Sequence, residues 1–195
     1  MKSARDLVGK PVGIKEEFIS VNEQNALLEY VKSEKAAWET YLPEDNVWYA
    51  RMINPSGMPP EIVQIMGWIR ERAAETIKAD YEITDPVYAD TLQLVRWRVG
   101  DQQAPHADCE EPDGRPNPFP WRAFASIIYL NDDYEGGEIH FPTLGLRPKL
   151  KPRMLAYFPS TRDYLHGVTR VNAGVRYTHS CFYTFDQSRH DQLPV

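Results

Sequence analysis

The sequence predicts a mainly β fold of the α+β class, in which helices pack on one outer face of a β sandwich or barrel. Two segments with helical spacing come first, and both lie before residue 86. From residue 91 onward the chain consists of short β-prone runs, which glycine, proline and aspartate separate. Helices first and strands second are typical of a β core that is covered by helices on one side.

Two segments have the apolar spacing of helices. Ser20 and Glu23 have capping-box spacing, and the apolar residues that follow share one helix face as far as Lys32. Pro59-Pro60 begins a longer helix, in which apolar residues recur every three or four positions up to Ile77. This stripe predicts a supporting helix that packs against the β core.

Six β-prone runs make up the second half of the chain. They are Thr91–Val99, Ala123–Leu130, Glu138–Phe141, Leu150–Phe158, Gly167–Val171 and Val175–Phe185. Turn signals such as Gly136-Gly137 and Asn172-Ala173-Gly174 separate them. The segment Cys109–Trp121 holds four prolines and is predicted to be an ordered surface loop beside Asp108.

Length and composition are those of one domain with a real hydrophobic core. The chain has 195 residues, of which 42% are hydrophobic. We expect a single domain over residues 1–195, with helical support over about 1–85, the β core over about 88–186 and a short tail at 187–195. The oligomeric state is left open.

The charge and the cysteines limit the function classes. A net charge of −6 argues against a general nucleic-acid binder. No run of residues is long and apolar enough to predict a membrane span, and the first 19 residues lack the apolar stretch of a signal peptide. Two cysteines, both expected to be reduced thiols, indicate a cytoplasmic protein.

The candidate chemistry is carried by His106-Ala107-Asp108. Residues two apart in a strand point to the same side, so both side chains can reach one ion. Alone this pattern is weak, but His166 begins a predicted strand and Arg176 follows ten residues later. Two imidazoles and one carboxylate can form the facial triad of non-haem Fe(II) sites, which leaves coordination positions open for a 2-oxo acid and O2. An arginine suits the far carboxylate of such an acid, because its planar fork binds carboxylates bidentately.

Residues from about 92 to 186 resemble the prolyl 4-hydroxylase-like branch of the Fe(II)/2-oxoglutarate-dependent oxygenase superfamily. The resemblance is carried by the order and spacing of several motifs. They are Trp97-Arg98-Val99-Gly100, His106-Ala107-Asp108, Arg122, Tyr129-Leu130-Asn131, Gly136-Gly137-Glu138, Leu150-Lys151-Pro152, His166-Gly167-Val168 and Gly174-Val175-Arg176-Tyr177.

The resemblance implies a double-stranded β-helix, which is a jelly-roll barrel, and an iron-dependent enzyme. His106, Asp108 and His166 would be the catalytic Fe(II) ligands. Arg176 would bind the C5 carboxylate of 2-oxoglutarate and Tyr129 would hydrogen-bond to the same group. O2 would be the oxidant and ascorbate the reductant.

Four further residues are candidates on weaker grounds. Thr178 follows Arg176 on the same strand face and either adds a hydroxyl contact to the co-substrate or simply lines the barrel. Arg122 matches a family position on the substrate side of the pocket, and a structural salt bridge explains it equally well. Phe182 lies on the face of Arg176 and either lines the substrate pocket or belongs to the core. Trp97 stands where the family usually has tyrosine, so that a pocket contact is lost or replaced.

Three functions are compatible with these residues. The first is hydroxylation of a prolyl residue in a peptide or protein, with conversion of 2-oxoglutarate to succinate and CO2. In this reading the turn-rich segment Pro43–Met58 forms a flap over an extended peptide. The second is hydroxylation of a free amino acid or another small metabolite, and the third is a jelly-roll binding module without catalysis. The presence of both the triad and its two co-substrate residues argues against the third.

Overall fold

The computed structural model describes residues 2–191 and 193, and in this part of the chain two helices accompany eleven strands. The helices are α1 (Val21–Lys32) and α2 (Pro60–Tyr81). The strands are β1 (Gly13–Lys15), β2 (Met52–Ile53), β3 (Tyr88–Trp97), β4 (Gln103–His106), β5 (Arg122–Tyr129), β6 (Tyr134–Gly136), β7 (Ile139–His140), β8 (Leu155–Pro159), β9 (His166–Val168), β10 (Val171–Gly174) and β11 (Arg176–Thr184).

The strands form one large antiparallel sheet and two small ones. The large sheet has the order β1-β8-β5-β11-β3-β2, and the small sheets have the orders β4-β9-β7 and β10-β6. The long central strand β11 pairs with β3 on one side and with β5 on the other. The prediction of a mainly β fold with supporting helices is confirmed.

The two faces of β11 have different neighbours. Arg176, Thr178 and Phe182 line a cavity on the inner side of the large sheet. Cys181 and Tyr183, which alternate with them, belong to the hydrophobic core that the sheet shares with the helices. The twofold periodicity of a strand therefore separates the residues that can bind a ligand from those that anchor the helices.

Both predicted helices are confirmed, and they cover the outer face of the large sheet. Ser20 caps the N-terminus of α1 with the predicted capping box. Its Oγ accepts from the Glu23 amide at 3.2 Å, and the Glu23 carboxylate accepts from the Ser20 amide at 2.8 Å. Leu27 of α1 and Ile69 of α2 are buried in one cluster with Leu94 of β3. Neither helix among the described residues is long and apolar enough to cross a membrane.

Several strand boundaries differ from those predicted. The predicted run Gly167–Val171 is divided between β9 and β10, and the predicted turn at 172–174 lies within β10. The predicted run Leu150–Phe158 becomes a strand only from Leu155. The reason is local, since Arg153 has a φ of 69°, in the left-handed region that interrupts extended structure.

His179 provides a test of how the helices pack on the sheet. Its ring is 1% exposed, and burial lowers its pKa to about 4. The unfolded chain therefore binds this proton more tightly, so stability is lost as the pH falls from about 6.5 toward 4. Chemical denaturation should give a free energy of unfolding that is lower at pH 5 than at pH 7, with His179 contributing on the order of 1–2 kcal/mol. The free energy of unfolding of His179→Leu should fall less between pH 7 and pH 5 than that of the unmodified protein. An equal fall in both proteins would contradict the burial of a neutral imidazole.

Candidate metal centre and its cavity

Two neighbouring strands bring the predicted metal ligands together. His106 ends β4 and His166 begins β9, and the two residues are directly opposite each other in the antiparallel ladder. Their ring centroids are 4.4 Å apart. Asp108 lies two residues beyond the end of β4, so the expectation that it belongs to the strand is wrong. Its position is held instead by the Ser160 carbonyl, which accepts from the amides of Asp108 at 3.0 Å and Cys109 at 3.2 Å.

Backbone carbonyls fix the orientation of both imidazoles. His106 Nδ1 is 3.2 Å from the Ala104 carbonyl oxygen, and His166 Nδ1 is 3.1 Å from that of Tyr164. With Nδ1 as the donor, Nε2 of each ring keeps its lone pair. These Nε2 atoms lie 3.6 Å and 3.7 Å from Asp108 Oδ1. One ligand atom from each of the three residues therefore falls within 4.8 Å of the other two.

The electrostatics of this group fit a divalent cation. Asp108 is 6% exposed, and its Oδ2 has no hydrogen-bond partner among the described residues. Burial lowers the pKa of His166 to about 4, so the imidazole is in its neutral, ligating form at neutral pH. A buried carboxylate that faces the neutral imidazole of His166 is costly unless a cation joins it. The donor set of two nitrogens and one carboxylate suits Fe(II) with open coordination positions.

A cavity of about 330 Å³ extends from the triad to Arg176. Arg176 is 2% exposed and donates to the Gly137 carbonyl at 2.6 Å. Its Nε has no partner, and no carboxylate of the described residues lies within 4.0 Å of its guanidinium. A buried guanidinium without a carboxylate partner is stabilised by an anionic ligand. A carboxylate suits it, because it can accept two parallel hydrogen bonds from the planar guanidinium.

Aromatic side chains hold the guanidinium of Arg176. It lies 4.7 Å from the ring centroid of Tyr129 and 5.6 Å from that of Trp97. The Tyr129 hydroxyl is buried without a hydrogen-bond partner among the described residues, and burial raises its pKa, so it keeps a proton to donate. Thr178 is 1% exposed, pairs with Tyr129 across the sheet and lines the cavity.

Trp97 packs between two arginines and a second tryptophan. The guanidinium of Arg51 lies 4.9 Å from its ring centroid, in addition to that of Arg176. The ring of Trp48 meets Trp97 edge-on at 5.8 Å. Trp97 therefore contributes an aromatic surface to the cavity.

The substrate-side candidates lie at the outer end of the cavity. Arg122 donates to Asp90 at 2.9 Å, with both side chains 11% exposed, so the structural salt bridge exists. Its guanidinium also stacks on Phe182 at 3.7 Å and on Phe119 at 3.9 Å. Arg122 and Phe182 both line the cavity. The salt bridge fixes Arg122 in that wall.

Two residues near the triad were not identified from the sequence. Gln103 Nε2 is 3.4 Å from His106 Nε2, and its only sequence signal is its place three residues earlier on the strand. The second residue is Glu110, which is 7% exposed and forms an ion pair with Arg5. That partner is 105 residues away in the chain, so no local pattern reveals it.

Residues 92–184 match the 2OG-Fe(II) oxygenase superfamily, and the chain therefore carries a 2OG-Fe(II) oxygenase domain. The rat and human prolyl 3-hydroxylase 2 are each 30% identical to the chain over 112 residues. The match covers 54% of this chain and 14% of each relative, so the chain spans about a seventh of their length.

Solved structures support the predicted jelly-roll fold. The viral collagen prolyl hydroxylase of Paramecium Bursaria Chlorella virus-1 superposes with a TM-score of 0.66 at 18% identity, over 90% of this chain and 96% of that chain. A Pseudomonas putida prolyl-4-hydroxylase superposes with a TM-score of 0.64 at 16% identity, over 93% of this chain and 96% of that chain. A prolyl hydroxylase of Trichoplax adhaerens, in complex with a hypoxia inducible factor peptide fragment, superposes with a TM-score of 0.64 at 15% identity. The superposition covers 95% of this chain and 89% of that chain. At these identities the likeness shows the fold.

Asp108 allows a test of the metal centre that does not depend on turnover. In metal-free protein its buried carboxylate has an oxygen without a partner, so Asp108→Asn should unfold at the same temperature or higher. The same change should abolish the rise in melting temperature that Fe(II) or Mn(II) produces in the unmodified protein. Thermal scans with and without metal measure both effects. Full retention of metal stabilisation in Asp108→Asn would contradict ligation by Asp108.

Proposed function

We propose that this protein is an Fe(II)- and 2-oxoglutarate-dependent dioxygenase that hydroxylates a prolyl residue in a peptide or protein. 2-Oxoglutarate would be decarboxylated to succinate and CO2, with O2 as oxidant and ascorbate as the reductant that keeps iron active. The observation that supports this most is that one cavity holds two buried groups of opposite charge, each without an oppositely charged arginine, lysine or carboxylate partner among the described residues. The buried Asp108 carboxylate between two imidazoles is stabilised by a cation, and the buried Arg176 guanidinium is stabilised by an anion.

Each side chain of the cavity has a defined part in this proposal. His106, Asp108 and His166 would hold Fe(II), and the bound iron would supply the redox chemistry that activates O2. Arg176 would bind the C5 carboxylate of 2-oxoglutarate through its fork, and the protonated Tyr129 hydroxyl would donate to the same group. The Thr178 hydroxyl is proposed as a further contact to this carboxylate.

The walls of the cavity keep water from the reacting centre. The ring of Phe158 lies 4.4 Å from that of His166, and the ring of Phe141 lies 5.9 Å from His166 and meets Phe158 edge-on at 4.9 Å. Both phenylalanines are fully buried. An apolar wall on this side of His166 would help to exclude water from the bound metal.

The shape of the site favours a peptide over a free amino acid. The metal cavity adjoins an outer groove of about 630 Å³, and the two share Trp48, Gln93, Phe119, Arg122 and Phe182 in their linings. A free amino acid would need only the inner cavity. A chain that continues on both sides of its target residue would occupy the groove as well, and aromatic walls suit prolyl rings.

Substrate class can be tested by succinate formation from 2-oxoglutarate with Fe(II) and ascorbate. Proline-rich peptides and free amino acids, proline included, are compared at equal concentrations. We expect peptides to stimulate turnover and free amino acids to leave it near the uncoupled rate. Stimulation by a free amino acid alone would replace the peptide proposal with the small-metabolite one. Absence of turnover together with no affinity for 2-oxoglutarate would leave a binding module.

The role of Arg176 can be separated from that of the metal. Arg176→Lys keeps the charge and loses the planar fork, so the dissociation constant of 2-oxoglutarate for Mn(II)-loaded protein should rise about 10- to 100-fold. Mn(II) affinity itself should stay within about twofold, because Arg176 does not touch the triad. The exposed Arg170→Lys is the matched control and should change neither constant. Unchanged 2-oxoglutarate affinity in Arg176→Lys would exclude Arg176 as the anchor.

A further inference from the structure

We propose that Arg5 and Glu110 are positioning residues of the metal centre. Together they tie the N-terminal segment to the two stretches of chain that carry Asp108 and His166. This inference rests on the proposed metal site, because it concerns how firmly the ligands of that site are held. His106 is outside this arrangement, since its ring is oriented by the nearby Ala104 carbonyl.

Glu110 joins three segments through one carboxylate. It follows Asp108 by two residues and is 7% exposed. Its Oε2 forms an ion pair of 2.5 Å with Arg5 Nη2. Its Oε1 accepts from the Arg162 amide at 2.8 Å, four residues before His166. The segment after Asp108 is therefore fastened both to the N-terminal segment and to the segment that leads to His166.

Tyr164 joins the N-terminal segment to His166 by a second route. Its ring is 3% exposed, and its hydroxyl accepts from the Gly9 amide at 2.8 Å and donates to the Lys10 carbonyl at 2.6 Å. The carbonyl of the same residue is 3.1 Å from His166 Nδ1 and sets the direction of the imidazole. A shift of the N-terminal segment would therefore be transmitted to a metal ligand through a single residue.

Glu110 pairs with Arg5 and is not part of the ligand cluster. Glu110 lines the metal cavity, yet the ligand atoms that cluster within 4.8 Å belong to the triad alone. Without Arg5, the Glu110 carboxylate would lose the cation beside it, and the Asp108 segment would lose its attachment to the N-terminal segment. Residues that orient metal ligands without touching the metal typically change its affinity 10- to 100-fold when replaced.

The test is the dissociation constant of Mn(II), measured by calorimetry on the full chain without O2 or 2-oxoglutarate. Arg5→Ala should bind Mn(II) about 10-fold more weakly than the unmodified protein. Arg115→Ala is the matched control. It removes an exposed ion pair with Asp113 in the same loop, whose side chains are 77% and 55% exposed, and should leave the constant within about twofold.

A double-substitution cycle shows whether Arg5 and Glu110 act together. Glu110→Gln should weaken Mn(II) binding to a similar degree, and Arg5→Ala with Glu110→Gln should cost little more than either change alone. Unchanged or tighter Mn(II) binding in Arg5→Ala would overturn the proposal. So would a lower melting temperature of the metal-free protein with no change in Mn(II) affinity, because that result describes a purely structural ion pair. Failure of the metal site itself would look different, since the unmodified protein would then not bind Mn(II).

Discussion

The site depends on one constraint: a carboxylate and a guanidinium are buried in one cavity, and among the described residues no lysine or arginine pairs with the carboxylate and no carboxylate pairs with the guanidinium. The carboxylate of Asp108 faces two imidazoles, and the guanidinium of Arg176 faces aromatic rings and one carbonyl. Within the described residues the two do not pair with each other. Both charges are costly to bury, so the arrangement is stabilised when a cation and a dicarboxylate enter together.

The fold maintains this separation through strand geometry. β4 and β9 place the imidazoles opposite each other at one end of the cavity, while β11 carries Arg176 in the large sheet. The residues of β11 that alternate with Arg176 are buried in the core beneath the helices. A shift of the strand by one residue would therefore turn Arg176 toward the helices. Packing of α1 and α2 on the outer face therefore fixes the register of the strand that anchors the co-substrate.

Local patterns were sufficient for the helices and for the residues that meet at the centre. The capping box at Ser20 and the spacing of His106, Asp108, His166 and Arg176 are short-range or motif signals, and they could be read directly. The short strands could not, because β4 includes Ala104-Pro105 and owes its extended form to pairing with β9. Contacts between residues that are far apart in the sequence could not be predicted from local patterns either. Arg5 reaches Glu110 from 105 residues away, and Arg51, which precedes α2 in the chain, contacts the ring of Trp97 on β3.

The most direct test of the account is a calorimetric titration of 2-oxoglutarate into the protein without O2, once with Mn(II) and once after removal of metal. The account predicts one binding site per chain whose affinity falls at least about 10-fold without metal, because the ligand then loses one of its two charged contacts. Equal affinity in both states, or no binding with Mn(II) present, would contradict a cavity in which the triad and Arg176 bind one molecule together.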